Sequence, residues 1–256
     1  MFSVIIPTKN EEKFIGRLLQ SIRDQDIQPD KIVVADKSSD RTAEIARSYG
    51  AEVIEGVDDG HIGRGRNSGA RLVNSEVIFF IDADVIIPPG FFVKALEIFK
   101  KKKLDIATSY LKADRKRLVS TVYFAGWNAI KRFGSVTRRV IADSGVCLMV
   151  TREFFDKVGG FDEAMTVGED SDFIRRVVKA DGWFKVLPLS VVTSDRRFSK
   201  PPHKMAWQLL GLGGMLALTI IGVKLLQKSS YLKKSWGTFE KMYGELGGEK
   251  PVAVKD

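Results

Sequence analysis

Asp82-Ala83-Asp84 sets two carboxylates one residue apart, directly after the apolar run EVIFFI at 76–81. Oxygen ligands of this kind suit a hard divalent cation, Mg2+ or Mn2+, bound together with a diphosphate. Such a cation would neutralise charge on a departing nucleoside diphosphate. The same spacing also occurs in helix caps and plain loops. A second acidic group, Gly168-Glu169-Asp170-Ser171-Asp172, precedes a helix-like stretch containing Phe173, Val177 and Val178. One of its carboxylates could serve as general base for an acceptor hydroxyl. Alternatively, the group is an acidic helix start that free backbone N–H groups stabilise.

Two further segments could meet an anion. Gly63-Arg64-Gly65-Arg66-Asn67-Ser68-Gly69 lacks the GxGxxG spacing and the preceding strand of a dinucleotide loop, so it reads as a loop contacting an anion or base. Asp195-Arg196-Arg197 leads towards His203. Arg196 and Arg197 could grip phosphates of a donor or of a lipid-phosphate acceptor. His203 is either a loop residue or a third metal ligand beside the DxD pair. No P-loop, HExxH, GxSxG or kinase signature occurs.

The elements that must position these residues follow a regular alternation. Strand-like runs at 2–6, 31–35, 51–55 and 76–81 are separated by helical patterns at 11–23, 40–49 and 63–74. Phe14, Leu18 and Ile22 share one helix face, and Asp40 followed by Glu44 suits a capped start. This rhythm predicts a parallel sheet wound with helices over about the first hundred residues. Ligands of such sheets bind beyond the strands' carboxyl ends. Those ends here are Pro7-Thr8-Lys9-Asn10-Glu11, Asp36-Lys37-Ser38-Ser39-Asp40 and the DxD.

The chain has 256 residues, 44% hydrophobic and 29% charged, with one cysteine. That composition excludes a disordered chain, a collagen-like repeat and a disulfide-stapled module. The first residues lack a basic region ahead of the apolar run, so no signal peptide is expected. The net charge of +9 is uneven: residues 111–141 carry +7 and residues 196–239 carry +8, so the remainder is acidic. The basic blocks are either solvated faces or patches for something anionic. Within the first, 115–133 has apolar residues at near-helical spacing, bracketed by Arg115, Lys116, Arg117, Lys131 and Arg132. It is either an interfacial helix or one packing on the sheet. Residues 205–223 hold no formal charge, enough for about 28 Å of helix. They could span a membrane, lie in its interface or be buried in soluble protein. The flanking lysines, with Tyr231 and Trp236, favour a membrane boundary. Gly213 and Ala217 offer a small-residue face for self-association.

Taken together, these segments resemble a family 2 glycosyltransferase with a GT-A fold. The resemblance rests on their order: SVIIPTKNEEKFIGRLLQSI, then Asp36 to Thr42, Gly65 to Ala70, Phe80 to Asp84, Gly145 to Arg152, Val158 to Glu163 and Glu169-Asp170. It implies an α/β, Rossmann-like GT-A nucleotide-diphospho-sugar transferase fold, followed by a C-terminal apolar helical segment. Residues 1–200 would form the catalytic domain, with a nucleotide-binding half to about 110 and an acceptor half to 200. Residues 201–256 would be a membrane-associated tail. The resemblance further implies that Pro7, Asn10, Glu11 and Asp36 hold the base and ribose, with Arg66 near the base. Asp82 would touch the ribose or metal shell, and Asp84 would ligate Mn2+ or Mg2+, with His203 a looser match. Asp170 corresponds to the general base of inverting members, with Glu169 beside it. The QxxRW motif of processive polymerases is lacking.

The activity expected is metal-dependent, inverting transfer from a UDP- or GDP-sugar to a lipid-linked or surface-glycan acceptor. The enzyme would be attached to an anionic membrane with its catalytic domain cytoplasmic, and no nucleic acid is expected as partner. Two alternatives are a sugar nucleotidyltransferase and a non-catalytic membrane or nucleic-acid adaptor. The first predicts a glycine-rich loop where PTKNEE stands; the second predicts loss of Asp84 or Asp170.

Overall fold

The computed structural model describes residues 1–56, 61–115, 117–137, 145–165 and 168–196. Strand β1 (Phe2–Thr8) is apolar on both faces, and Val4, Ile5 and Ile6 are wholly buried. Strands covered on both sides read as such continuous runs. The chain then passes through α1 (Ile15–Arg23), β2 (Lys31–Asp36), α2 (Thr42–Ser48), β3 (Glu52–Glu55), α3 (Ile62–Arg71) and β4 (Val77–Ile81). β2 and β4 flank β1, both parallel to it, and β3 extends the sheet beyond β2. These four strands realise the parallel, helix-wound half. Asp40 Oδ1 accepts the Thr42 N–H at 3.0 Å ahead of α2, whose N-cap residue is Arg41.

The second half adds β5 (Val85–Ile86), α4 (Phe91–Lys101), β6 (Ile106–Ala113), α5 (Leu118–Thr137), β7 (Cys147–Thr151), α6 (Arg152–Lys157), α7 (Glu169–Lys179) and β8 (Phe184–Thr193). The strand order is β3-β2-β1-β4-β7-β6-β8-β5. β7 lies antiparallel between β4 and β6, so the whole sheet is mixed. Side-chain alternation divides the core into two layers. Val4, Ile6, Phe79 and Ile81 pack with Leu18, Phe92 and Phe124 on one face. Ile5, Val33, Ile78 and Phe80 pack with Phe161, Phe173 and Val177 on the other. The chain winds outward from β1 to β3 and returns to β4 across β1. A crevice therefore opens between the carboxyl ends of β1 and β4, where ligands of such sheets bind.

Two sequence expectations change. The helical pattern expected at 63–74 is helix α3, so the glycine-rich segment 63–69 within it is not the anion-contacting loop also read there; its glycines permit close packing. A Cβ at Gly69 would stand 2.5 Å from Ile5 Cγ2. In α5, Lys131 does not belong to the exposed basic rim: it is buried, with Nζ donating to the Ser109 carbonyl at 2.7 Å. Residues Met1–Ala206 cluster as one compact unit. The C-terminal apolar helical segment lies outside the described residues, as do Arg197 and His203. Among the described residues, no helix is long and apolar enough to cross a membrane.

Candidate active site

The loops after β1 and β2 are tied together edge to edge. Asp36, buried at the end of β2, accepts hydrogen bonds from Thr8 Oγ1 at 2.5 Å and Ser38 Oγ at 2.6 Å. Asn10 adopts a left-handed backbone (φ 57°), which an asparagine tolerates. Its N–H donates to Ser38 Oγ at 2.8 Å, and its Oδ1 accepts the Ser39 N–H at 2.9 Å. Pro7 pairs with Ala35 in the β1–β2 ladder, one residue before this junction. Pro7, Asn10 and Asp36 thus share one rim, at the strand ends where a nucleoside would lie.

Arg66 projects from α3 into the centre of the crevice and is only 2% exposed. Nη1 donates to Glu169 Oε1 at 2.7 Å and Nη2 to Asp82 Oδ1 at 3.1 Å, while the guanidinium lies 5.1 Å over the Phe161 ring. Arg66 Nε is buried without a hydrogen-bond partner. Asp170 joins this cluster from the first turn of α7: Oδ2 accepts the Gly145 N–H, and Oδ1 accepts the Ser171 N–H at 2.6 Å. A Cβ at position 145 would stand 3.0 Å from Asp170 Cβ and 3.1 Å from Arg66 Nη2, so a side chain there would press on both groups. Burial pushes both the Glu169 and Asp170 carboxyls above their ordinary range, and Arg66 opposes that rise in each. Nearby negative charges, including Asp82, add to it.

Arg196 completes the opposite wall. Its two terminal nitrogens bind the Glu11 carboxylate at 2.7 and 2.6 Å, and Nη2 lies 3.4 Å from Asp84 Oδ2. The guanidinium also stacks 4.7 Å from the Phe14 ring centroid. Each aspartate of the DxD is thus matched to an arginine, Asp82 to Arg66 and Asp84 to Arg196. The expected cation can be tested against this chemistry. Among the described residues no three His, Cys, Asp or Glu side chains gather as a metal cage. Two carboxylates in a cation-seeking setting do fit a metal that takes one or two protein oxygens and the rest from substrate phosphates.

Comparison with known proteins fixes the context of this arrangement. The family described as "Glycosyl transferase family 2" matches residues 3–159. The chain belongs to that family. A curated relative from Staphylococcus aureus, 4,4'-diaponeurosporenoate glycosyltransferase, is 46% identical over 88 residues. That match covers 32% of this chain and 24% of the relative, so the chain spans about a quarter of that protein. S. aureus TarS 1–349 in complex with UDP aligns with TM-score 0.62 and 22% identity over 87% of this chain and 66% of that one. The mannosyltransferase PcManGT from Pyrobaculum calidifontis, in complex with GDP-Man and Mn2+, gives 0.63 and 18% over 96% and 81%. Glucosyl-3-phosphoglycerate synthase from Mycobacterium tuberculosis, with Mn2+ and UDP, gives 0.56 and 20% over 89% and 79%. The α/β Rossmann-like fold is therefore the GT-A fold of family 2.

Within this family member, Glu11, Arg66, Asp82, Asp84, Glu169, Asp170 and Arg196 meet around one crevice, with Pro7, Asn10 and Asp36 on its rim. Five other contributors carried no assigned role in the sequence. Gly145 donates a backbone hydrogen bond to Asp170, Phe161 floors Arg66, and Ser38 braces Asp36 and Asn10. Asn67 accepts the Phe161 N–H at 2.8 Å and donates to its carbonyl at 2.9 Å. Gly160 makes room for that brace, since a Cβ there would stand 2.6 Å from Asn67 Oδ1. NSGA and VGGFD each occur once in the chain, and these contacts pair them in space.

Proposed function

We propose that this chain transfers a sugar from a UDP- or GDP-sugar to a membrane-related acceptor, by a metal-assisted, inverting single displacement. The observation that carries the reading is the pair of buried carboxylates Glu169 and Asp170, held across Arg66 from the DxD at the carboxyl ends of β1 and β4. In this reading Pro7, Asn10, Glu11 and Asp36 receive the nucleoside. Asp170 takes the proton from the acceptor hydroxyl; its raised carboxyl range suits a base working near neutral pH. The acceptor oxygen forms its bond to the anomeric carbon as the bond to the nucleoside diphosphate breaks, and the leaving group departs with the electron pair. Glu169 orients Arg66 and shares the local charge. Arg196 supplies positive charge to the diphosphate, with Arg197 and His203 as further candidates. A Mn2+ or Mg2+ held by Asp84 and Asp82 would stabilise the negative charge of the leaving group. UDP, GDP-Man and Mn2+ in the neighbours support this donor and cation class. The diaponeurosporenoate relative supports an acceptor associated with membranes. On this reading the enzyme works at a membrane, with the segment 205–223 as a point of attachment and of self-association.

The test is nucleotide release from a panel of UDP- and GDP-sugars with Mn2+, by the wild type and by Asp170→Asn. One donor should be turned over, and the substitution should cost about 10²–10⁴-fold with the melting temperature little changed. Turnover retained by a folded Asp170→Asn protein would remove the base from this mechanism.

A further inference from the structure

Helix α5 packs only one of its faces. Phe124 is buried in the core, Tyr123 and Trp127 pack against it, and Asn128 exchanges hydrogen bonds with the Leu111 backbone at 2.9 and 2.8 Å. The opposite face is apolar from end to end. Leu118 is 79% exposed, Val122 63%, Phe133 55% and Val136 71%. Between them Ala125, Gly126 and Ala129 are also exposed, and an added Cβ at Gly126 would meet nothing within 4 Å. At 100° per residue these positions fall on one stripe about 27 Å long. A contiguous apolar strip on an otherwise charged protein marks a surface that something covers.

Charge identifies the covering partner. No Asp or Glu occurs anywhere in α5, and exposed Arg115 and Arg132 border the stripe. The enclosing block 111–141 carries +7. A protein partner calls for a complementary polar rim of both signs and pockets for anchors. A convex stripe on a helix without acids, with exposed arginines at its border, instead fits an apolar layer beneath anionic headgroups. The helix would lie flat, since none of the described helices is apolar enough to cross.

We propose that α5 is a membrane-docking element whose exposed stripe enters an anionic lipid bilayer. Its position gives the docking a purpose, and only this purpose rests on the transferase reading. Arg117, just ahead of Leu118, lies 3.4 Å from Asp195, and the next residue, Arg196, holds Glu11 and Asp84. The stripe therefore begins beside the crevice, so a bilayer-borne acceptor would stand at its mouth.

The experiment places an environment-sensitive fluorophore on the full chain at Phe133→Cys, Val136→Cys and, as a control on α4, Glu97→Cys. Labelling is selective because the native Cys147 is buried with its thiol pushed up to about 12. With vesicles containing about one-third phosphatidylglycerol, the two α5 labels should shift to the blue and brighten several-fold. The Glu97 label should stay unchanged, and pure phosphatidylcholine should act weakly. Labels on α5 that ignore vesicles overturn the proposal. So do labels already shifted without lipid, whether independently of protein concentration (the chain's own remainder covers the stripe) or increasingly with it (a second copy does). Nucleotide binding measured without vesicles reports on the transferase reading separately.

Discussion

Arg66 meets two carboxylates directly and sits near a third, with a phenyl ring beneath it and almost no water around it. A cation so placed sets the protonation of its neighbours. Burial raises the Glu169 and Asp170 carboxyls, and Arg66 is the main influence lowering both. Replacing it with an uncharged side chain, Arg66→Met, removes the largest influence opposing burial and leaves only the backbone hydrogen bonds against it, so the carboxyls keep their protons to higher pH. A general base is active only when deprotonated, so the acidic limb of the rate profile should move upward in pH. Activity should return in part at the alkaline end, unlike the flat loss from Asp170→Asn. The pH dependence of nucleotide release checks this. Stranding the buried carboxylates should also cost about 3–5 kcal/mol, so the assay belongs well below the variant's melting temperature. The sequence indicated that these acids and Arg66 belonged together only through their order along the chain. It did not indicate that the arginine would be shared between the DxD and the ED pair, because contacts 16 and 103 residues apart carry no local signature.

At the scale of elements, α3 shows how one stretch can carry a helical pattern over 63–74 and still read locally as a loop. Glycine is among the poorest helix formers, and three of them fall in residues 63–69. Tertiary packing overrides that cost: Gly69 lies against Ile5, and Gly63 against Asp162 and Phe161. Adding one methyl should therefore have opposite effects on two helices. Gly69→Ala drives Cβ to 2.5 Å from Ile5 Cγ2, which should cost about 1–3 kcal/mol through overpacking. Gly126→Ala on α5 meets open space and should stabilise by about 0.5–1 kcal/mol through helix preference. Thermal unfolding distinguishes them, at about 2–4 °C per kcal/mol for a chain of this size. The strands β1 to β4 were legible because apolar runs between polar ends repeat at regular intervals. β7 was not, since nothing local declares that Cys147–Thr151 runs antiparallel between β4 and β6. Of the two alternatives read for 115–133, packing on the sheet is what one face of α5 does, while the exposed face leaves the interfacial alternative as a proposal.

For the whole molecule, Cys147 is a convenient reporter, because it lies in β7 at the middle of the sheet. Burial raises its thiol to about 12 and leaves about a thousandfold less thiolate at neutral pH than an exposed cysteine would have. Alkylation should be undetectable in the native protein and rapid in denaturant, so its rate in intermediate conditions measures opening of the entire sheet. Mass spectrometry of a timed alkylation follows it; prompt native labelling would mean that β7 opens locally. The pairing of Arg196 with Glu11 has a consequence for how the protein comes into being. These partners stand 185 residues apart, among the longest separations the sheet closes. Glu11 and Asp84 are both made early in synthesis, while Arg196 comes only after the last strand of the sheet. Until β8 has joined, the growing chain holds its acids without this counter-charge. Closing so large a loop is a late and slow event in folding. The crevice thus gains the second of its two arginines only when the sheet is finished, and until then Glu11 and Asp84 form an acidic edge without that partner.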